Sequence, residues 1–183
     1  MDYIKICEFK EKLKRELKPT RYEHTMFTVL KAMELCQGTK ADRDKVYIAS
    51  LLHDCAKYRF PDEEQRKILK DFIDFEPIIH GPLGAIIAKE EYGITDKKIL
   101  NAIKYHSTGR PNMTIEEKIV CLADAIEDSR NYPNLENIKN ETKKSIEHGL
   151  ICSLSGVVDY ETSRGNKIHH LTIETLAWLK ENL

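Results

Sequence analysis

The chain has 183 residues, with 29 Lys and Arg against 30 Asp and Glu and a formal net charge of −1, which is room for one domain with a substantial core and short for two. Near-neutrality excludes a global basic field that would recruit nucleic acid or an acidic membrane, so any anion must be held by a local site. No apolar run approaches a membrane span of about 20 residues, and the Met1-to-Lys5 start does not read as a signal peptide. Five scattered cysteines without a C-x-x-C pair favour reduced thiols in a cytoplasmic protein over a disulfide frame or a thiolate metal site.

In chain order, Ile6, Phe9, Leu13 and Leu17 repeat at helical spacing from Asp2 until Lys18-Pro19 ends the run. Thr20 and Glu23 form a T-x-x-E capping box, predicting a second helix that runs to Gly38 as its C-cap. His24 shares a face of that helix with Arg21. A third helix starts near Asp42 and carries Val46, Ala49 and Leu52 into an adjacent imidazole and carboxylate, His53-Asp54, with Lys57 one turn further on. Pro61 to Glu64 opens a short fourth helix reaching about Phe72. Phe75 to Pro82 is extended or turning, and Pro82 suits the first turn of a fifth helix ending near Gly93. His80 is therefore expected just before a helix N-terminus, a place that favours anions.

Thr95 is the expected cap of a sixth helix with Ile99, Ala102 and Ile103 inward, finishing at Tyr105-His106. After a polar loop, Ser107 to Pro111, a second capping box (Thr114 to Glu117) begins a seventh helix that buries Ile119, Leu122, Ala123 and Ile126. Tyr132-Pro133-Asn134 turns the chain, one long helical pattern runs from about Glu141 to Arg164, and a last helix spans Thr172 to Leu183. No segment alternates at period two for long enough to make a strand. The expectation is an all-α fold, with residues 1–183 forming one helical domain.

His24, His53, Asp54 and Asp124 each fall on a predicted helix beside core positions, where an unpaired charge is costly to bury. Asp124 is the most informative, because its helix is otherwise apolar for two turns and a buried carboxylate needs a cation or several donors. Two imidazoles and two carboxylates make a mixed nitrogen–oxygen donor set. Such a set suits iron(II), manganese or cobalt with open water positions better than a thiolate-rich structural zinc site. Arg21, Lys57, Arg110 and Arg130 are local cations for an anionic substrate. His80 or His106 could protonate a leaving group, having an ordinary pKa near working pH. Phosphate contact is the favoured role for these two, with a second metal ion or a structural role left open. His148 and His169 read as surface residues, and Cys7, Cys36, Cys121 and Cys152 as small core residues.

The order His, then His-Asp, then Asp on successive helices resembles the HD-domain metal-dependent phosphohydrolase superfamily. Within it, Arg21-Tyr22-Glu23-His24, Leu51 to Lys57, Ile79-His80-Gly81-Pro82, His106 to Pro111, Glu117 to Asp124 and Ile168 to Ile173 resemble the bacterial YqeK-like family of symmetrical bis(5′-nucleosyl)-tetraphosphatases, over nearly the whole chain. The resemblance implies hydrolysis of diadenosine tetraphosphate into two ADP, with iron as the metal and His24, His53, Asp54 and Asp124 as its ligands. It implies that Arg21, His80, His106, Ser107 and Arg130 contact the nucleotide and its phosphates, helped by a loop from Lys167 to Thr172 that includes His170. The chain departs from the family pattern at Glu127 to Asn134, which keeps Arg130 and Pro133 but lacks two glycines and a proline. His170 also stands where a proline is usual.

The partners expected are a dinucleoside polyphosphate substrate and a nucleoside diphosphate product, with no nucleic acid or membrane and a homodimer left open. Arg21 and His80 would hold one terminal diphosphate, and the other would extend toward the Ser107-to-Pro111 loop as leaving group. The alternatives are an HD phosphohydrolase acting on deoxynucleotides or guanosine tetraphosphate alarmones, and a metal-bound nucleotide sensor.

Overall fold

The computed structural model describes residues 3–183, so the Asp2 start expected for the first helix lies outside the described residues. These residues form α1 (Tyr3–Glu16), α2 (Pro19–Leu35), α3 (Arg43–Leu52), α4 (Glu63–Ile68), α5 (His80–Glu91), α6 (Lys97–Tyr105), α7 (Ile115–Ile126), α8 (Leu135–Thr142), α9 (Ile146–Ser163) and α10 (His170–Glu181). The described residues contain no strand, and none of their helices is long and apolar enough to cross a membrane.

Helix α7 is the hub. It packs on α2, α3 and α6 on one side and on α9 on the other, which is why its sequence is apolar nearly all round. Ile119, Val120 and Ala123 join Leu51, Leu52, Leu83 and Ile103 in the main core. Leu122 and Ile126 join Leu150, Leu154 and Leu179 in a second cluster under α8 to α10. Asp42 and Thr114 cap their helices as expected, accepting from Lys45 N and Glu117 N.

Elsewhere the helix ends differ from the expectation. Helix α2 begins at Pro19 with no side-chain cap, because proline's fixed φ makes a good first residue without Thr20. Asp96, not Thr95, caps α6. His80 is the first residue of α5 rather than its predecessor, and α4 ends at Ile68, four residues short of Phe72. The expected long helix from Glu141 to Arg164 is two. Asn134 adopts φ +74 and starts α8, and the Ser145 side chain accepts from His148 N to start α9. A serine that offers its hydroxyl to the backbone restarts a helix more readily than it continues one.

Helices α5 and α6 cross almost backbone to backbone. A Cβ on Gly81 would lie 2.8 Å from the Lys104 carbonyl oxygen, and one on Gly84 would lie 3.3 Å from the Ile103 side chain and 3.5 Å from the His53 carbonyl oxygen. The glycine of the H-G-P segment thus brings His80 against His106.

Two surface expectations are corrected. His169 is buried, stacked between Phe72 (centroids 4.4 Å apart) and His170, with Phe75 edge-on. Its Nδ1 accepts from Leu171 N to cap α10 and its Nε2 donates to the Asp71 carbonyl. His148 is half-buried beside Ser145. Among the cysteines expected in the core, Cys36 and Cys121 are buried, Cys152 is half-buried and Cys7 is exposed.

Candidate metal centre

Three helix segments deliver one cluster. His24 comes from the second turn of α2, His53 and Asp54 from the end of α3, and Asp124 from the last turn of α7. His24 Nε2 lies 3.0 Å from Asp124 Oδ1, 3.7 Å from Asp54 Oδ2 and 3.4 Å from His53 Nε2. His53 Nε2 lies 3.5 Å from Asp54 Oδ2 and 3.8 Å from Asp124 Oδ1. Neighbouring ligands held about 2.1 Å from one first-row ion sit roughly 3.0–3.4 Å apart; two of these separations match that spacing, and the other three, 3.5 to 3.8 Å, are slightly wider. His24, His53 and Asp54 are buried, whereas the Asp124 side chain is 19% exposed and faces the open side.

The far side of each imidazole fixes its tautomer. His53 Nδ1 donates to the Ser50 carbonyl at 2.6 Å, and His24 Nδ1 donates to Glu127 Oε1 at 3.0 Å. With Nδ1 carrying the proton, a neutral ring presents a bare Nε2 lone pair to the cluster. Two bare nitrogens facing each other and two carboxylates call for a cation between them, and a divalent ion fits that need. Glu127 had no role in the sequence reading. It is fully buried and also accepts from Ser129 N (2.5 Å) and Ser129 Oγ (2.6 Å). The available signal was a carboxylate three residues after Asp124, at the end of an apolar helix.

Asp54 has a second face. Its Oδ1 lies 3.2 Å from His80 Nε2 and 3.9 Å from His106 Nε2, and those two nitrogens are 3.0 Å apart. His106 Nδ1 donates to the Ile103 carbonyl at 2.8 Å, so its Nε2 is also bare in the neutral ring. Ser107 Oγ is within 3.0 Å of that nitrogen. The geometry places one carboxylate between two pairs of imidazoles. Lys57 Nζ sits 3.3 Å from His80 Nε2, half-buried, with no carboxylate within ion-pair distance among the described residues.

Electrostatics follow the packing. Burial opposes charge on both carboxylates, yet His53 and His80 hold Asp54, and His24, His53 and Arg130 hold Asp124, well below the usual range. Burial disfavours a charged His53, but the adjacent Asp54 outweighs it and raises its pKa. Burial together with His80 and His53 lowers His106 to about 3, which keeps it a neutral acceptor. Burial also lowers the Lys57 ammonium. The buried Cys55 thiol is pushed up, away from any thiolate role.

Of the other residues singled out, Arg21 Nη1 reaches Asp54 Oδ2 at 2.9 Å. Arg130 reaches the cluster despite its altered loop, through Nη2 to Asp124 Oδ1 and Nε to the Asp124 carbonyl. Arg110 is engaged elsewhere, in a two-pronged pair with buried Glu117 at 2.7 Å on both arms. Lys167 and His170 are exposed, His170 against His169 and Lys167 at the turn before α10.

The chain belongs to the HD domain family, whose model matches residues 21–128, a span that contains His24, His53-Asp54 and Asp124. It is 34% identical over 170 residues to a protein of Halalkalibacterium halodurans named "Bis(5'-nucleosyl)-tetraphosphatase, symmetrical", covering 89% of this chain and 90% of that one. A Bacillus subtilis protein of the same name is 33% identical over 174 residues, covering 91% and 93%. Among solved structures, a predicted HD superfamily hydrolase involved in NAD metabolism from Clostridium acetobutylicum superposes with a TM-score of 0.90 at 31% identity, over 97% of this chain and 98% of that one.

Proposed function

We propose that this chain, as one HD-type domain over residues 1–183, is a metal-dependent hydrolase that cuts diadenosine tetraphosphate symmetrically into two ADP. The observation that carries the reading is the convergence of His24, His53, Asp54 and Asp124 on one space, with both imidazole protons turned outward. The names of its relatives support the substrate class, a bis(5'-nucleosyl) tetraphosphate, and two further relatives carry Ap4A hydrolase in their names. The donor set contains no thiolate, and its mix of imidazole and carboxylate suits iron first, with manganese or cobalt as substitutes. Five free thiols agree with a reducing cytoplasm.

A divalent ion bound here supplies a polarised phosphoryl oxygen and a water of lowered pKa. The chain's own residues do the rest. Glu127 and the Ser50 carbonyl keep the His24 and His53 lone pairs aimed inward. Arg21 and Arg130, now on Asp54 and Asp124, are placed to take phosphate oxygens. Lys57 neutralises charge on the leaving diphosphate. The oxygen of water adds to a phosphorus next to the central bridging oxygen, the bond to that oxygen breaks, and it departs with the second ADP. The leaving diphosphate is stabilised by cations and needs little protonation.

His80 and His106 were expected to touch phosphate. The 3.2 Å approach of Asp54 Oδ1 and the bare His106 nitrogen favour a second cation there, since a phosphate would meet a carboxylate and a lone pair. On this reading Asp54 serves two ions. The test of the hydrolase reading is product analysis in ¹⁸O-labelled water with iron, manganese or cobalt supplied. ADP is the sole nucleotide expected, with label in half of it; AMP with ATP, or no turnover, refutes the symmetrical reading.

A further inference from the structure

A symmetrical cut leaves two equal nucleoside diphosphates, so a site that fixes the register must hold the substrate on both sides of the attacked bond. The Ser107-to-Pro111 loop offers little to the second half, because its arginine is already paired with Glu117. Lys57, next to His80, has no carboxylate partner among the described residues. A half-buried ammonium with no carboxylate within ion-pair reach is a place for an anion.

From Lys57 and His80 a cleft of about 800 Å³ opens between the turn after α3 and the segment leading into α5. Its walls include Tyr58, Phe60, Arg66 and Ile79. Phe60 is 81% exposed and Tyr58 42% exposed, both aromatic rings turned out beside a basic site. Arg59 also lines it but is held by Glu91 at 2.7 Å. Arg66 reaches the Pro61 carbonyl through Nε and has no carboxylate partner among the described residues. The one carboxylate on the wall is Glu76, against three cations. The volume lies in the range of small-molecule clefts, roughly 300–1,000 Å³, which accommodates one nucleotide.

We propose that this cleft is the subsite for the leaving half of the substrate. Lys57 takes its inner phosphate, Arg66 the phosphate nearer the sugar, and Phe60 provides a face for the base, since an aromatic side chain can stack any base. The proposal rests on the hydrolase reading for the identity of the ligand. It relies on the continuity of the cleft with His80 and Lys57, on unpaired positive charge, and on an exposed ring.

The test uses the metal-loaded protein and its Phe60→Ala and Arg66→Ala variants. Kinetics are measured on diadenosine tetraphosphate and on adenosine 5′-tetraphosphate, which lacks the second nucleoside. ADP stoichiometry is measured by calorimetry. The expected result is a loss of kcat/KM of roughly tenfold in Phe60→Ala, the loss of one stacked base, carried mainly by KM and confined to the dinucleotide. The parent should bind two ADP per chain and Phe60→Ala one at the same concentration. Equal losses on both substrates, unchanged dinucleotide kinetics, or a single ADP in the parent overturn the proposal. If the parent cleaves neither substrate, the hydrolase reading fails, while the ADP stoichiometry still decides the subsite.

Discussion

Replacing Glu127 with Gln changes one atom of a fully buried side chain and leaves its volume intact. The carboxylate now accepts from three donors: His24 Nδ1, Ser129 N and Ser129 Oγ. A carboxamide has one acceptor oxygen, so its amide must face at least one of those donors. If that donor is His24, the ring is driven toward the other tautomer, and its Nε2 turns from acceptor to donor at the proposed metal position. Where a carboxylate orients a metal-binding histidine, its loss lowers metal affinity by roughly ten- to a hundredfold, and a fall of that size is expected here. An unpaired buried donor costs the metal-free protein about 1–3 kcal/mol. Asp128→Asn, one residue away and 63% exposed, should change neither quantity. The assay is competition with a chelator, read as metal per chain, beside urea unfolding of the metal-free protein. Glu127→Gln holding its metal as tightly as the parent would refute the orienting role.

Metal analysis separates the two imidazole pairs: Asp124→Ala and His53→Ala should lose metal and turnover, while His80→Ala and His106→Ala should each keep one equivalent and lose a second. Full metal content in all four variants would undo both assignments. Arg110→Ala strands the buried Glu117 carboxylate and should cost about 2–4 kcal/mol in urea unfolding, the low side of a buried pair because Arg110 is partly exposed. Adding Glu117→Gln should recover much of that loss; no recovery would mean the pair is not the cause. His169 titrates below its ordinary 6.5 because burial and His170 disfavour its charge, with Asp71 and Glu174 nearby acting the other way. The unfolded chain therefore takes the proton first, so stability is full above pH 6.5 and declines as pH falls toward the folded value. Unfolding of His169→Asn between pH 7.5 and 5.5 should show a shallower decline than the parent, and an equal slope would assign the effect elsewhere.

The clustering of the candidate site residues was legible because chemistry and periodicity conflicted there: His53-Asp54 ends an apolar helix and Asp124 interrupts another. Helix existence was legible for the same reason, through spacing of Leu13, Leu52 and Ile103. What escaped depends on contacts between distant segments. Glu127 has meaning only once α2 brings His24 over it, 103 residues away in sequence. His169 is polar, yet Phe72 and Phe75 bury it from another part of the chain. Arg110 reads as a free cation until Glu117, a turn into α7, is seen to face it. The break at Ser145 was hidden because the apolar pattern runs on in both directions.

The close crossing of α5 and α6 sets the spacing of His80 and His106 through main-chain atoms. A carbonyl against a glycine has no rotamer to choose and no methyl group to exchange. Side chains on other helices of the core, such as Ile119 and Leu122, can therefore drift among similar aliphatic residues over evolutionary time without retuning the distance between the two imidazoles. Gly81 is different: adding one methyl there would pry the helices apart and move the centre as a whole. Tolerance to sequence change should therefore be lower at Gly81 than at the aliphatic positions around it.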